Sequence, residues 1–344
     1  MGHKPPHDQG ISAMWWSARN PPADPKASFA GKTVLITGAN VGLGLEAAVK
    51  FACLGASRLI LGVRSRQRGE DAKAQICHRS GYDAANVHVY QVNMSSFESV
   101  KSFVKSLSAE EPRLDIAVLN AGMAAPSYQL SPDGYEMSLQ VNVLSTSLLA
   151  VLLLPKLQQS AQLSGSPSHL EFVGSVGHRM VKPTALDAVL DNSNAGLLDH
   201  VNDKKHFGIQ ETYCMTKLLL MYVMEGLVSA TRRNHVDDVI ITTCCPNLCR
   251  TNLGREFNSL MNLANSLFQL GFARSAEEGS RILVSGTSLE KDAHGMFWSH
   301  DVFDMKGELV TSEKGKMLQK KAWTEIAQLL RGHVPRSEEW VLEC

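Results

Sequence analysis

The sequence carries no excess of charge of either sign: 34 Lys and Arg stand against 34 Asp and Glu, a formal net charge of zero. That balance argues against a nucleic-acid binder working through bulk charge and against a polybasic protein of the membrane surface. A disulfide or metal pattern is lacking too. The seven cysteines, at 53, 77, 214, 244, 245, 249 and 344, are odd in number, show no CxxC spacing and pair with none of the twelve histidines at ligand spacing. They read as reduced thiols of an intracellular chain, expected in the cytoplasm, with no metal site. No apolar run reaches the length of a membrane span. Residues 139–154 come nearest, but Asn142, Ser145, Thr146 and Ser147 interrupt them and Pro155 stops them, so a buried helix is expected. The start of the chain holds Pro5, Pro6, Pro21, Pro22 and Pro25 and no leader-like apolar stretch.

What is present is material for a large core, with 44% hydrophobic and 20% charged residues, so the chain is not disordered. Short apolar runs recur: TVLIT at 33–37, RLILGV at 58–63, VHVYQV at 87–92, IAVL at 116–119, HLEFV at 169–173, DVIITT at 238–243 and, more weakly, MFWS at 296–299. Segments long enough for helices separate them. One follows a glycine-rich turn over 45–54, and two open on the capping boxes Ser95-x-x-Glu98 and Ser275-x-x-Glu278. Strands alternating with helices predict an α/β fold, a parallel sheet of about seven strands covered on both faces. One domain over 31–330 accounts for the pattern, between an extended, poorly ordered N-terminal arm over 1–30 and a C-terminal tail over 331–344.

After the first run the chain reads Thr37-Gly38-Ala39-Asn40-Val41-Gly42-Leu43-Gly44, T-G-x-x-x-G-x-G between a strand and a helix. A pyrophosphate needs backbone without an intervening Cβ and gains from the positive end of the following helix. Gly38 permits the turn, Gly42 the approach of the phosphate and Gly44 close packing of helix on sheet. An NAD site places an acid at the end of the second strand. Here that end reads Gly62-Val63-Arg64-Ser65-Arg66, with no acid before Glu70. Arg64 can grip a 2′-phosphate there, which points to NADP(H). Further on, Tyr213-Cys214-Met215-Thr216-Lys217 sets a phenol and an ammonium on one helix face. A neighbouring cation lowers a phenol toward working pH and makes it a general acid/base.

These motifs, in this order, resemble the short-chain dehydrogenase/reductase family across roughly residues 31–330. The R-S-x-x-x-G-E phrase at 64–70 and the helix around Trp323 are similar to its retinol-dehydrogenase-like branch and to fungal reductases of secondary metabolism. The resemblance implies a single Rossmann-type, doubly wound sheet and an NADP(H)-dependent oxidoreductase acting on a carbonyl/alcohol pair. It implies cofactor contacts at Gly38, Asn40, Gly42, Leu43, Gly44, Arg64, Asn93, Asn120, Tyr213, Lys217, Leu248 and Thr251. Asn93 stands where the family usually has Asp, and Asn120-Ala121-Gly122 matches its N-A-G element, which braces the sheet as much as it meets cofactor. Ser175 would orient the reacting oxygen and Tyr213 exchange its proton. Lys217 would tune Tyr213 and hold the ribose, and Asn142 would steady a water behind the lysine. Asn247 replaces the usual Gly of Pro-Gly-x-x-x-Thr, and Asn is the non-glycine residue that best tolerates positive φ.

Other readings stay open. The same site could run as a retinol-like alcohol oxidation, or the chain could be a non-catalytic NADP-binding regulator. The Leu- and Met-rich helices bearing Asn142 and Tyr213 could form a homodimer interface, as in the family, or be buried within one subunit. Residues 252–274, where Leu260, Leu263, Ala264 and Leu267 recur at helical spacing, could be a substrate lid that implies an apolar small molecule, or a core helix.

Overall fold

The computed structural model describes residues 10–191, 195–250, 269 and 271–343. The apolar runs form β1 (Thr33–Thr37), β2 (Arg58–Val63), β3 (Val87–Gln91), β4 (Ile116–Leu119), β5 (Ser168–Val173), β6 (Val239–Cys244), β7 (Phe297–Ser299) and β8 (Val302–Phe303). They lie in the order β3-β2-β1-β4-β5-β6-β7-β8. Every pairing is parallel except β7 with β8. β1, β4, β5 and β6 are buried at every position, as central strands covered on both faces must be. Beyond the expected strands the sheet gains β8, an antiparallel edge whose two residues are too few to carry a period.

The helices are α1 (Ile11–Arg19), α2 (Gly42–Cys53), α3 (Arg66–Ser80), α4 (Phe97–Glu110), α5 (Met137–Leu139), α6 (Ser145–Ser164), α7 (Asp187–Asp191), α8 (Leu197–Asn202), α9 (Ile209–Arg233), α10 (Ala276–Gly286), α11 (Glu308–Thr311) and α12 (Glu313–Leu330). α2, α3 and α10 bury their apolar sides in one layer of core, and α4, α6, α9 and α12 in the other. Two stretches, Met137–Ser164 and Ile209–Arg233, are long and apolar enough to cross a membrane by length and composition, and both are almost wholly buried inside the fold. Pro155 does not stop the first; it sits within α6, where burial of the surrounding leucines outweighs one lost backbone bond.

The box at Ser275 forms as expected: Ser275 Oγ accepts from Glu278 N at 3.1 Å, and Glu278 Oε2 accepts from Ser275 N at 2.8 Å. The one at Ser95 does not. Ser95 Oγ donates instead to Asn93 Oδ1 at 2.9 Å, and Ser96 takes the cap of α4.

The described part of the N-terminal arm departs from the extended reading. Residues 11–19 are helical, and α1 docks through Arg274, a guanidinium only 1% exposed. Arg274 donates from Nε to Ser17 O at 2.7 Å and from Nη2 to Asn20 O at 2.8 Å, satisfying carbonyls at the end of α1. At the other end, Arg336–Leu342 winds into a 3-10 turn that buries Val341 and Leu342 in the core. The segment between β5 and α9 also folds back on this end: Glu325 of α12 accepts from Leu197 N at 2.9 Å and Leu198 N at 2.8 Å, capping α8.

Candidate active site

The carboxyl ends of β1, β2, β4, β5 and β6 meet on one edge, the crevice of a doubly wound sheet. Beyond β1, Gly38 and Gly42 adopt φ of 68° and 57°, a region that a Cβ disfavours. A Cβ on Gly44 would lie 2.6 Å from Gly38 O, so only glycine lets α2 start so close to the turn. Val41 caps α2 without a side-chain bond, so the first N–H groups of the helix have no side-chain acceptor. That leaves a seat for an anion. Asn40 lies in this turn, and the side chain of Leu43 packs against Gly279 of α10, so its backbone is what it presents to the turn. Asn120 stands behind: its Nδ2 donates to Thr37 O at 2.8 Å, while Ala121 N donates to Thr37 Oγ1 at 2.9 Å. The structure therefore shows Asn120 bracing the turn.

At the end of β2, Arg64 is exposed, and its carbonyl is fixed by Gln91 Nε2 at 3.1 Å. Asn93, beyond β3, has its Oδ1 bound by Ser95 N and Ser95 Oγ, which leaves the amide nitrogen as its donor. The glycine cradle and the open helix end suit the pyrophosphate of a nicotinamide dinucleotide.

Ser175 follows β5, and its Oγ accepts from Gly177 N at 3.0 Å. The Tyr213 phenol, near the start of α9, feels the Ser175 hydroxyl, and α9 packs on the turn after Ser175: a Cβ on Gly177 would lie 3.2 Å from Ser175 Oγ and 3.4 Å from Cys214 Sγ. One turn on, Lys217 Nζ lies 5.7 Å from the Tyr213 ring centroid and donates to Val173 O at 2.8 Å. Asn142 sits at the centre of a π-helical turn, Gln140–Leu144, a distortion that often marks functional sites. Its Oδ1 accepts from Met123 N at 2.8 Å, and its Nδ2 donates to Met123 O at 2.8 Å and Thr216 Oγ1 at 3.1 Å. Both amide hydrogens are thus taken by the protein. The Asn142 side chain straps α9 to the loop after β4. Gly122 keeps the space beside it open: a Cβ there would lie 3.3 Å from Asn142 Oδ1 and 3.8 Å from Lys217 Nζ.

The electrostatics correct one expectation. The lysine was expected to bring the phenol down, but burial dominates and pushes Tyr213 well above the usual phenol range, with the neighbouring Ser175 hydroxyl opposing. Burial also lowers Lys217, to about 8. At neutral pH the pair therefore rests as a protonated phenol beside an ammonium that is easily discharged.

After β6, Asn247 takes φ 61°, so the left-handed turn survives without glycine. Its Nδ2 donates to Ser299 Oγ at 3.1 Å. Leu248 O accepts from Arg274 N at 2.9 Å. Thr251 lies outside the described residues, as does most of the expected lid over 252–274. The sequence reading overlooked Thr37, Thr216 and Met123 as supports. Thr216 was in view inside Y-x-x-x-K, whereas Met123 acts through its backbone and leaves no residue-type signal.

The profile described as short chain dehydrogenase matches residues 32–176. A short-chain dehydrogenase/reductase of Aspergillus flavipes is 46% identical over 338 residues, covering 98% of this chain and 97% of that one. One from Phaeosphaeria nodorum is also 46% identical, over 92% of this chain and 91% of its own. Among solved structures, a short-chain type dehydrogenase/reductase from Mycobacterium marinum shares the fold, with a TM-score of 0.57 at 15% identity over 84% of this chain and 97% of that one.

Proposed function

This chain belongs to the short-chain dehydrogenase/reductase family of oxidoreductases, and within it we propose an NADP(H)-dependent enzyme that interconverts a ketone or aldehyde and an alcohol on a largely apolar small molecule. The observation that carries this reading is the Ser175–Tyr213 pair with Lys217 Nζ 5.7 Å from the phenol ring, beside a glycine turn built for a phosphate. A regulator that only binds the dinucleotide has no use for that pair. When bound, the nicotinamide supplies hydride to the carbonyl carbon. Tyr213, held protonated by burial, donates its proton to the carbonyl oxygen, and the Ser175 hydroxyl orients that oxygen. Lys217 offers its ammonium to the ribose hydroxyls. Gly38, Asn40, Gly42, Leu43 and Gly44 hold the phosphates, Arg64 the 2′-phosphate, and Asn93 and Leu248 flank the two ends of the dinucleotide. Asn142 positions Lys217's helix.

The exposed side chain of Met180, which ends the turn after Ser175, supports an apolar substrate. The fungal relatives support a biosynthetic step in secondary metabolism as its setting. The test is purified protein with NADPH or NADH and a panel of ketones, followed at the nicotinamide absorbance. NADPH-dependent turnover is expected. Arg64→Asp should reduce NADPH efficiency by at least about tenfold, or 1.4 kcal/mol, and affect NADH far less. Equal losses for both cofactors would remove the NADP assignment.

A further inference from the structure

The peptide joining Ser175 to Val176 is gripped at both polar ends by side chains outside the Ser-Tyr-Lys-Asn set. Its carbonyl, Ser175 O, accepts from His178 Nδ1 at 2.6 Å. The same ring accepts at Nε2 from Gly307 N at 3.1 Å, which places the imidazole proton on Nδ1. The N–H of that peptide, on Val176, donates to Cys245 Sγ at 3.2 Å. Cys245 Sγ takes a second bond, from Asn247 N at 3.3 Å. Cys245 is 1% exposed at the end of β6, and its own N–H is tied to Trp298 O at 2.9 Å. One sulfur therefore stands between the turn that presents Ser175 and the left-handed Asn247 turn on the nicotinamide side.

We propose that Cys245 is a positioning residue of the reaction, its sulfur fixing the separation between the Ser175 hydroxyl and the loop 246–248. The inference rests on the reading of Ser175 given under Proposed function and extends it. A thiol this buried is no nucleophile; its work is done by accepting two backbone N–H groups that bond no other acceptor among the described residues, and by filling the volume between two turns. His178 secures the opposite end of the same peptide and links it to Gly307. The glycine turn and Arg64 belong to other strands, so loss of the sulfur displaces the serine from the hydride donor without loosening the phosphates. Misplacement of a reacting group by about 1 Å can cost on the order of a hundredfold in rate.

The experiment compares Cys245→Ala and Cys245→Ser with wild type in three readouts: single-turnover hydride transfer to a ketone the wild type reduces, NADPH affinity by fluorescence, and hydrogen exchange at the Val176 and Asn247 amides. In Cys245→Ala, transfer should slow at least about tenfold while NADPH affinity stays within about threefold. Both amides should exchange faster. Serine, which keeps an acceptor, should restore their protection and most of the rate. Wild-type transfer with unchanged protection in the alanine variant would overturn the proposal, as would a parallel loss of NADPH affinity and melting temperature that serine does not repair. Should the alanine variant fail to fold, wild-type exchange and the serine variant decide: unprotected Val176 and Asn247 amides in wild type overturn it. A wild-type chain that reduces no carbonyl defeats the reading under Proposed function instead, which keeps the two failures apart.

Discussion

At the level of single side chains, burial sets the chemistry more than neighbouring charge does. Lys217 falls to about 8 because it is desolvated, so the unfolded chain, with lysine at 10.5, keeps a proton that the fold has lost between those values. Stability attributable to this group therefore rises as pH climbs from about 8 to about 10.5. Activity moves the other way: kcat should fall on its basic limb near pH 8 as the ammonium is lost, and Lys217→Arg should carry that limb upward. A pH–rate profile with no basic limb would separate Lys217 from the reaction. Tyr213→Phe should fold and bind NADPH but lose at least about a hundredfold in turnover, the low end for a general acid. Glu171 is the opposite case. Wholly buried in β5, it faces Gly286 and the Cys244 thiol, and no N–H or O–H among the described residues bonds its carboxyl. Desolvation raises it well above 4.5, so the fold holds a proton the unfolded chain has released. Stability should then decline as pH rises from 4.5 toward the raised value, and Glu171→Gln should flatten that decline in melting temperatures taken across the acid range.

Among elements, α9 shows how much a helix owes to a distant partner. The ring of Trp323 lies flush on its backbone at Gly226: a Cβ there would come within 2.3 Å of the indole. Gly226→Ala should cost about 1–3 kcal/mol by overpacking, and Trp323→Ala about 3–5 kcal/mol by leaving a cavity, both measurable by denaturant melts. If Gly226→Ala proved neutral, the indole would be free to retreat and the helices less tightly keyed than they look. Such contacts explain what could and could not be read from the sequence. β1, β2 and β4 appear at their observed residues because central parallel strands write themselves as short apolar runs. The glycine turn, Ser175 and Y-x-x-x-K were legible because each is local in sequence and bound to a strand end. α1 was not: prolines flank it, and the group that satisfies its last carbonyls, Arg274, lies 257 residues away from Ser17. The contacts of Cys245 were hidden for a like reason, since the groups its sulfur accepts from are backbone N–H groups that no residue type announces.

Over the whole molecule, the described part of the segment between Ser175 and Tyr213 packs with α12 and the C-terminal turn on one face of the sheet. Glu325 caps α8, Lys314 pairs with Asp187, and Leu318, Trp323 and Ile326 of α12 join the core that buries α9. The helices that could have met a second copy are thereby covered by the chain itself. Light scattering at micromolar concentration is expected to return the mass of one chain; the mass of two would place an interface away from α6 and α9. The docking of α1 has a consequence for how the protein is made. Its anchors, Arg274 and Asp301, are synthesised 254 to 278 residues after the carbonyls and N–H they hold. At roughly 5–20 residues per second, the first helix waits on the order of ten to fifty seconds on the ribosome before its site exists. Until then Trp16, whose ring packs on His300, has no seat, and Arg274, whose guanidinium also reaches Pro246 O at 3.4 Å, is not there to steady the loop after β6. The nascent chain can assemble its phosphate cradle early, from the first few strands, but the opposite wall of the crevice matures only when both ends of the polypeptide have met.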